Sequence, residues 1–253
     1  MLGIVAVVLA CTGPTPTPSE PPPHPLIVGT SGDAPPYAVR RGDRLEGLEI
    51  DLSSELGRAL ARPIEIRDLP WDGLFDALLA HRVDIVMAGV TVTPERETRV
   101  AFSEPYLRTT IGALIRREDA ERLAKPDAVC KSPYEVGLVT GTVGEQALRQ
   151  RCSTMVPRLY SKASEAVLEL RRHRIAAVAH DGPVLRWLSS ELASELMFVP
   201  TRIADERVAW AFRRDDEELR STANAALAAM RADGTLRRVV DRWVPQRGRG
   251  RSD

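Results

Sequence analysis

Three short stretches of this sequence carry groups that could meet a charged small molecule, and each lies where an apolar run gives way to a helical pattern. In Ala88-Gly89-Val90-Thr91-Val92-Thr93-Pro94-Glu95-Arg96, Thr93 suits a helix N-cap and Pro94 the first helical position. Arg96 then falls in the first turn, where the helix dipole disfavours a cation. A guanidinium at that place makes sense if an anion joins it, because free N–H groups and the guanidinium then converge on one carboxylate. Surface pairing with Glu95 or Glu97 is the plainer alternative. In Thr140-Gly141-Thr142-Val143-Gly144-Glu145 the glycines allow close backbone approach to a ligand. Thr142 and Glu145 also have capping-box spacing, so capping alone accounts for them equally well. In Ala177-Val178-Ala179-His180-Asp181-Gly182-Pro183, Asp181 ends an apolar strand. It reads either as a turn aspartate or as a carboxylate facing an ammonium group. His180 beside it should point to the other face of the strand, which argues against an acid/base pair. Trp71, in Leu69-Pro70-Trp71-Asp72, is either core or an apolar wall for a ligand.

Other chemistries find no support. The four histidines, 24, 81, 173 and 180, lack metal-ligand spacing with one another or with cysteine. HExxH, G-x-S-x-G, the P-loop and the dinucleotide fingerprint are all missing. No metal or cofactor is therefore expected. The 35 Lys plus Arg balance 35 Asp plus Glu, which removes the basic footprint of a nucleic-acid binder. No apolar run approaches the roughly 18 to 20 residues of a spanning helix.

The elements that must position these groups alternate. Leu26 to Gly29 reads as a strand, Leu52, Leu56, Ala59 and Leu60 as a helical face, and Ile64 to Ile66 as a strand again. Leu74, Phe75, Leu78 and Leu79 form a second helical face before the run Val83 to Met87. A second set follows: strand 136–139, a helix from about 143, strand 156–160, helix 164–172 and strand 175–179. Such alternation predicts α/β architecture with largely parallel sheets, and two separate units predict two lobes. Ligands of open α/β sheets bind beyond the carboxyl ends of the strands, so a cleft between the lobes is the expected site.

Residues 1–11 form an apolar leader whose Val8-Leu9-Ala10-Cys11 looks like a bacterial lipobox, with Cys11 the lipidated residue. Between Gly13 and Pro25 seven of thirteen residues are proline, which makes 12–25 an extended linker. The expected location is extracytoplasmic, periplasm or cell surface, on a lipid anchor. Cys130 and Cys152 would then sit in an oxidising compartment and could pair. Residues 247–253 read as a fraying Gly/Arg tail.

In this order the motifs resemble the extracytoplasmic solute-binding proteins of polar amino-acid ABC transporters. The likeness runs from about Leu26 to Val244 and is carried by Gly29 to Asp33, Gly47 to Asp51, Val83 to Arg96, Phe102-Ser103-Glu104-Pro105-Tyr106, Ala232 to Leu236 and Trp243. The resemblance implies the two-lobed type II periplasmic-binding fold, each lobe a mixed, mostly parallel sheet flanked by helices. It implies a first lobe of 26–108 and 208–246, a second of 109–207, and a hinge of two crossings near Arg108 and Val208. The ligand's carboxylate would be held by Arg96, assisted by backbone N–H and hydroxyl groups at Gly89, Thr91 and Thr142, and its ammonium by Asp181. Trp71 would pack on the ligand side chain, and Ser31 would help set selectivity.

This chain departs from the family at several places. Ala34 replaces a usual aromatic, Leu48-Glu49 a Phe-Asp pair, Val143 a Ser or Thr, and Ala176 a frequent Asp. The expected function is capture of an amino acid by a monomer that delivers it to a transporter permease, without catalysis. The alternatives are a cyclohexadienyl dehydratase-like enzyme and a ligand-sensing module for a receptor. The dehydratases carry an acidic residue where this chain has Val184.

Overall fold

The computed structural model describes residues 24–244 apart from 126, 132 and 191. Cys11, the leader, most of the Pro-rich linker and the C-terminal tail lie outside the described residues. Two five-stranded sheets organise the rest. The first runs in the order Ile64–Asp68, Leu26–Thr30, Ile85–Val86, Ala211–Phe212 and Ala101–Phe102. The second runs in the order Val156–Tyr160, Glu135–Val139, Ala177–Asp181, Leu107–Arg116 and Leu196–Val208. In both, the first three strands are parallel and the remaining pairings antiparallel. The parallel halves are the βαβ units that the apolar periodicity announces. A small antiparallel sheet of Asp33–Ala34, Ala38–Arg41 and Arg44–Glu46 caps the first lobe.

Helix Leu48–Leu60 shows how the periodicity acts. Leu48, Leu52 and Leu56, four residues apart, are fully buried against Leu26 and Val28 of the sheet. Gly57 lies so close to Ile64 that a β-carbon there would come within 2.6 Å of its side chain. Buried apolar clusters fill both lobes, that of the first reaching Val139, Ala163 and Val184 of the second, and no helix among the described residues is long and apolar enough to cross a membrane.

The antiparallel halves join the lobes. The chain leaves the first sheet after Phe102, enters the second at Leu107, and returns between Val208 and Ala211. These two crossings lie side by side, with Val208 opposite Leu107 and Arg207 opposite Arg108. A bridge between Thr91 and Val208 ties the Arg96 stretch to the same place. In the second lobe, Cys130 and Cys152 are joined by a disulfide with a Cα–Cα distance of 4.7 Å. It fastens the segment before strand Glu135–Val139 to the end of helix Val143–Arg151.

Candidate functional site

Ser31, Trp71, Gly89, Thr91, Arg96, Thr142 and Asp181 all line one cavity between the two lobes. The first five come from the first lobe and the last two from the second, so neither lobe holds the set alone. The cavity encloses about 60 Å³. Its walls are drawn together by bonds from lobe to lobe: Arg96 Nη2 donates to the Gly141 carbonyl at 3.1 Å, and Gln146 Nε2 donates to Glu95 at 3.1 Å. Lys162 Nζ stands 2.6 Å from Asp33 Oδ2.

The Arg96 stretch folds as its residue types require. Thr93 is the N-cap of the short helix Pro94–Glu97, its Oγ1 accepting from Arg96 N at 3.2 Å. That places Arg96 in the first turn, where its Nη1 donates to the Thr91 carbonyl at 2.8 Å. Its guanidinium carbon lies 5.5 Å from the Trp71 ring centre and 6.0 Å from that of Phe75, within reach of a cation–π attraction to both. Burial lowers its pKa, and the carboxylates of Asp181, Glu206 and Glu95 oppose that shift.

Gly89 lies at φ +70°, a conformation that suits glycine. Its N–H donates to Glu49 Oε1 at 2.7 Å. The N–H expected to serve the ligand is thus engaged by Glu49 in this structure, although Gly89 lines the cavity. The Thr142 hydroxyl is likewise engaged, donating to the Val139 carbonyl at 2.7 Å and accepting from Glu145 N at 3.3 Å as N-cap of helix Val143–Arg151. What this helix start can offer an anion is its first-turn main-chain N–H groups.

Asp181 is buried at the last position of its strand, directly before helix Gly182–Ser190. Strand alternation does not separate it from His180 as the sequence suggests. Both line the cavity, with His180 Nδ1 3.3 Å from Asp181 Oδ1, the imidazole reaching the neighbouring carboxylate at the end of the strand. His180 Nδ1 accepts from Asp181 N at 2.7 Å, which puts the proton of a neutral imidazole on Nε2. Ser31 Oγ donates to Asp33 at 3.4 Å.

A sequence pattern that defines the bacterial extracellular solute-binding proteins, family 3, matches residues 26–246. The chain belongs to this family. Among its relatives is the L-cystine-binding protein TcyJ of Escherichia coli K12, 29% identical over 219 residues, which cover 86% of this chain and 82% of TcyJ. The arginine-binding extracellular protein ArtP of Bacillus subtilis is 28% identical, covering 86% of this chain and 85% of ArtP. A crystal structure of the ancestral amino acid-binding protein AncCDT-1, a precursor of cyclohexadienyl dehydratase, superposes with a TM-score of 0.81. It is 30% identical and covers 87% of this chain and 95% of that one.

The family motifs do not point to every residue at this site. Tyr37, Asp33, Lys162, His180 and Val184 also line the cavity. Glu49 sits beneath it, fully buried, and accepts from Gly89 N, from Tyr106 Oη at 2.5 Å and from Trp210 Nε1 at 3.1 Å. Burial pushes its pKa up to about 7 against the pull of those three donors. Tyr106 and Trp210 stand on the two crossings between lobes, so one carboxylate links both crossings to the cavity floor. Ala34 and Val143 do line the cavity, both small and apolar.

Proposed function

We propose that this family 3 protein captures an amino acid between its lobes, Arg96 binding the carboxylate and Asp181 the ammonium, and delivers it to an ABC transporter permease. The observation that supports this most is the pairing of opposite charges from different lobes across one cavity. A zwitterion presents both charges at fixed geometry and favours the form in which the lobes meet. The hinge would be the paired crossings near Arg108 and Val208, with lobes of 26–108 plus 208–246 and 109–207. Trp71 would pack on the ligand side chain, Ser31 would tune selectivity, and the Thr91 main-chain N–H and the Thr142 helix start would assist the carboxylate. The Thr91 hydroxyl is given to Glu206. The names of the relatives make cystine, arginine and histidine the first candidates. The chain would work as a monomer held to a membrane only by lipid on Cys11, which mass spectrometry of the mature N-terminus tests.

The binding experiment is a thermal-shift panel over the common amino acids, cystine and prephenate. A ligand at 1,000 times its dissociation constant stabilises by about 4 kcal/mol, roughly 8 to 16 °C for a protein of this size. We expect a shift of that order with one group of amino acids, abolished in Arg96→Ala and Asp181→Ala. Turnover of prephenate would replace capture by catalysis. Against that stands Val184, fully buried and lining the cavity at the place where dehydratases carry an acid.

A further inference from the structure

Two buried polar atoms beside the cavity have no hydrogen-bond partner among the described residues: Tyr37 Oη and Glu206 Oε2. Both residues are 1% exposed. The other carboxylate oxygen of Glu206 accepts from Thr91 Oγ1 at 2.8 Å, so the residue lies directly behind a cavity wall. Its place in the second sheet is informative. Asp181 pairs with Ile111 on one flank of strand Leu107–Arg116, and Glu206 pairs with Thr109 on the other. Directly opposed residues share a sheet face, and so do residues two apart. Asp181 and Glu206 therefore rise from the same face, on either side of the same strand. From the first lobe they meet Tyr37 and Arg96, both of which feel the two carboxylates.

A carboxyl oxygen left without a partner at this depth is costly, protonated or not, and an ammonium group brings three donors to it once it is ionised. We propose that Glu206 is a second carboxylate of the ammonium subsite, holding the ligand's cationic group between itself and Asp181, with the Tyr37 hydroxyl beside them. This rests on the amino-acid capture reading and deepens it: the subsite discriminates for a cationic amine by two acids, one of them carried on a crossing strand.

A consequence for protons follows. Burial, and next the Asp181 carboxylate, push Glu206 up to about 9, while the Thr91 hydrogen bond and the Arg96 guanidinium act the other way. Its strand neighbours Asp205 and Arg207 alternate to the opposite face, and Thr109 stands directly across from it. At neutral pH the ligand-free protein thus carries Glu206 as the neutral acid. An arriving ammonium favours the carboxylate; the O–H proton leaves to buffer, and the oxygen that held it accepts from the ligand.

The test is calorimetry at pH 7 in phosphate and in Tris, buffers of very different ionisation enthalpy, using whichever amino acid of the thermal-shift panel stabilises the protein. We expect release of roughly half a proton or more per ligand bound. Glu206→Gln should abolish the release and weaken binding about tenfold, while Tyr37→Phe should retain the release. Equal binding enthalpies in the two buffers, or unchanged release in Glu206→Gln, would overturn the proposal while leaving amino-acid capture intact. Should Glu206→Gln fail to fold, the proton count of the native protein still decides. If no amino acid binds at all, the capture reading falls and this one with it.

Discussion

Lys162 Nζ lies 2.6 Å from Asp33 Oδ2, one residue from each lobe, at the edge of the cavity that Arg96 and Asp181 share. Both side chains are more than a third exposed, so the pair contributes at most about 1 kcal/mol. That contribution exists only when the lobes are together. Lys162→Ala should therefore weaken ligand binding by about two- to fivefold, mainly through faster release, and the difference should shrink in high salt. Stopped-flow dissociation rates at two ionic strengths check this; an unchanged release rate at low salt would remove the pair from the closing contacts.

Arg96→Lys keeps the charge and loses the fork. The guanidinium makes its contacts with separate nitrogens, to the Thr91 and Gly141 carbonyls, and lies within cation–π reach of Trp71. A lysine does not reproduce the planar geometry. Arg96→Lys should lose about a hundredfold in affinity or more while its melting temperature without ligand stays within a few degrees of the native value. Titration calorimetry of the two proteins decides it.

Arg96 was legible because its neighbours are local: Thr93 and Pro94 announce a helix start three residues away, and a cation in a first turn calls for an anion. Trp71 and Asp181 are legible for the same reason, each at a junction between an apolar run and a helical pattern. Glu206 is not. It stands within Asp205-Glu206-Arg207, which reads as a solvated charge run, and its burial follows only from the pairing of two strands about a hundred residues apart in sequence. Lys162 and Tyr37 are hidden likewise, their cavity position set by the meeting of lobes. Glu49 could have been suspected, since an acid directly after Gly47-Leu48 opens a helix whose next turns are apolar. Sequence offers no hint that its carboxylate would reach Gly89, Tyr106 and Trp210 at once. The parallel halves of both sheets follow from period, whereas the antiparallel crossings carry no local signature.

Glu49 should make stability depend on pH. Its folded-state pKa is raised to about 7 from an ordinary 4.5. Between those values the folded protein holds a proton that the unfolded chain has lost, so stability falls as pH rises through this window, by at most about 1.4 kcal/mol per pH unit. Below it the contribution is fully present, and above it the loss is complete. Glu206, raised further, to about 9, adds a decline of the same sign across this window. Glu49→Gln should therefore roughly halve the slope between pH 5 and 7 and leave the Glu206 share. It should also cost about 1 to 3 kcal/mol, because an amide turns a donor toward one of three donors. Urea unfolding at half-unit pH intervals measures both, and a parallel decline in the two proteins would exclude Glu49 as its source.

The disulfide between Cys130 and Cys152 spans 22 residues. Chain-entropy arguments give a loop of that size about 3 kcal/mol. Replacing both cysteines by serine should lower stability by about that amount while leaving affinity unchanged within about threefold, since neither cysteine lines the cavity. Unfolding curves with and without reductant would show the native protein converging on the variant, and a native protein insensitive to reductant under unfolding conditions would contradict it.

Gly89 should tolerate no side chain. At φ +70° any other residue is strained, and a β-carbon there would lie 2.5 Å from the Tyr37 ring. Gly42 supplies the comparison: its φ is +59°, and nothing lies within 4 Å of where its β-carbon would stand. Gly42→Ala should cost only the backbone term, about 1 to 2 kcal/mol. Gly89→Ala must add the displacement of a fully buried tyrosine and disturb the N–H that Glu49 holds, for a total of about 3 to 5 kcal/mol. Because Tyr37 lines the cavity, Gly89→Ala should also lose ligand binding where Gly42→Ala keeps it. Equal stability losses in the two variants would mean that Tyr37 can move aside freely, and the cavity floor would then be softer than its packing indicates.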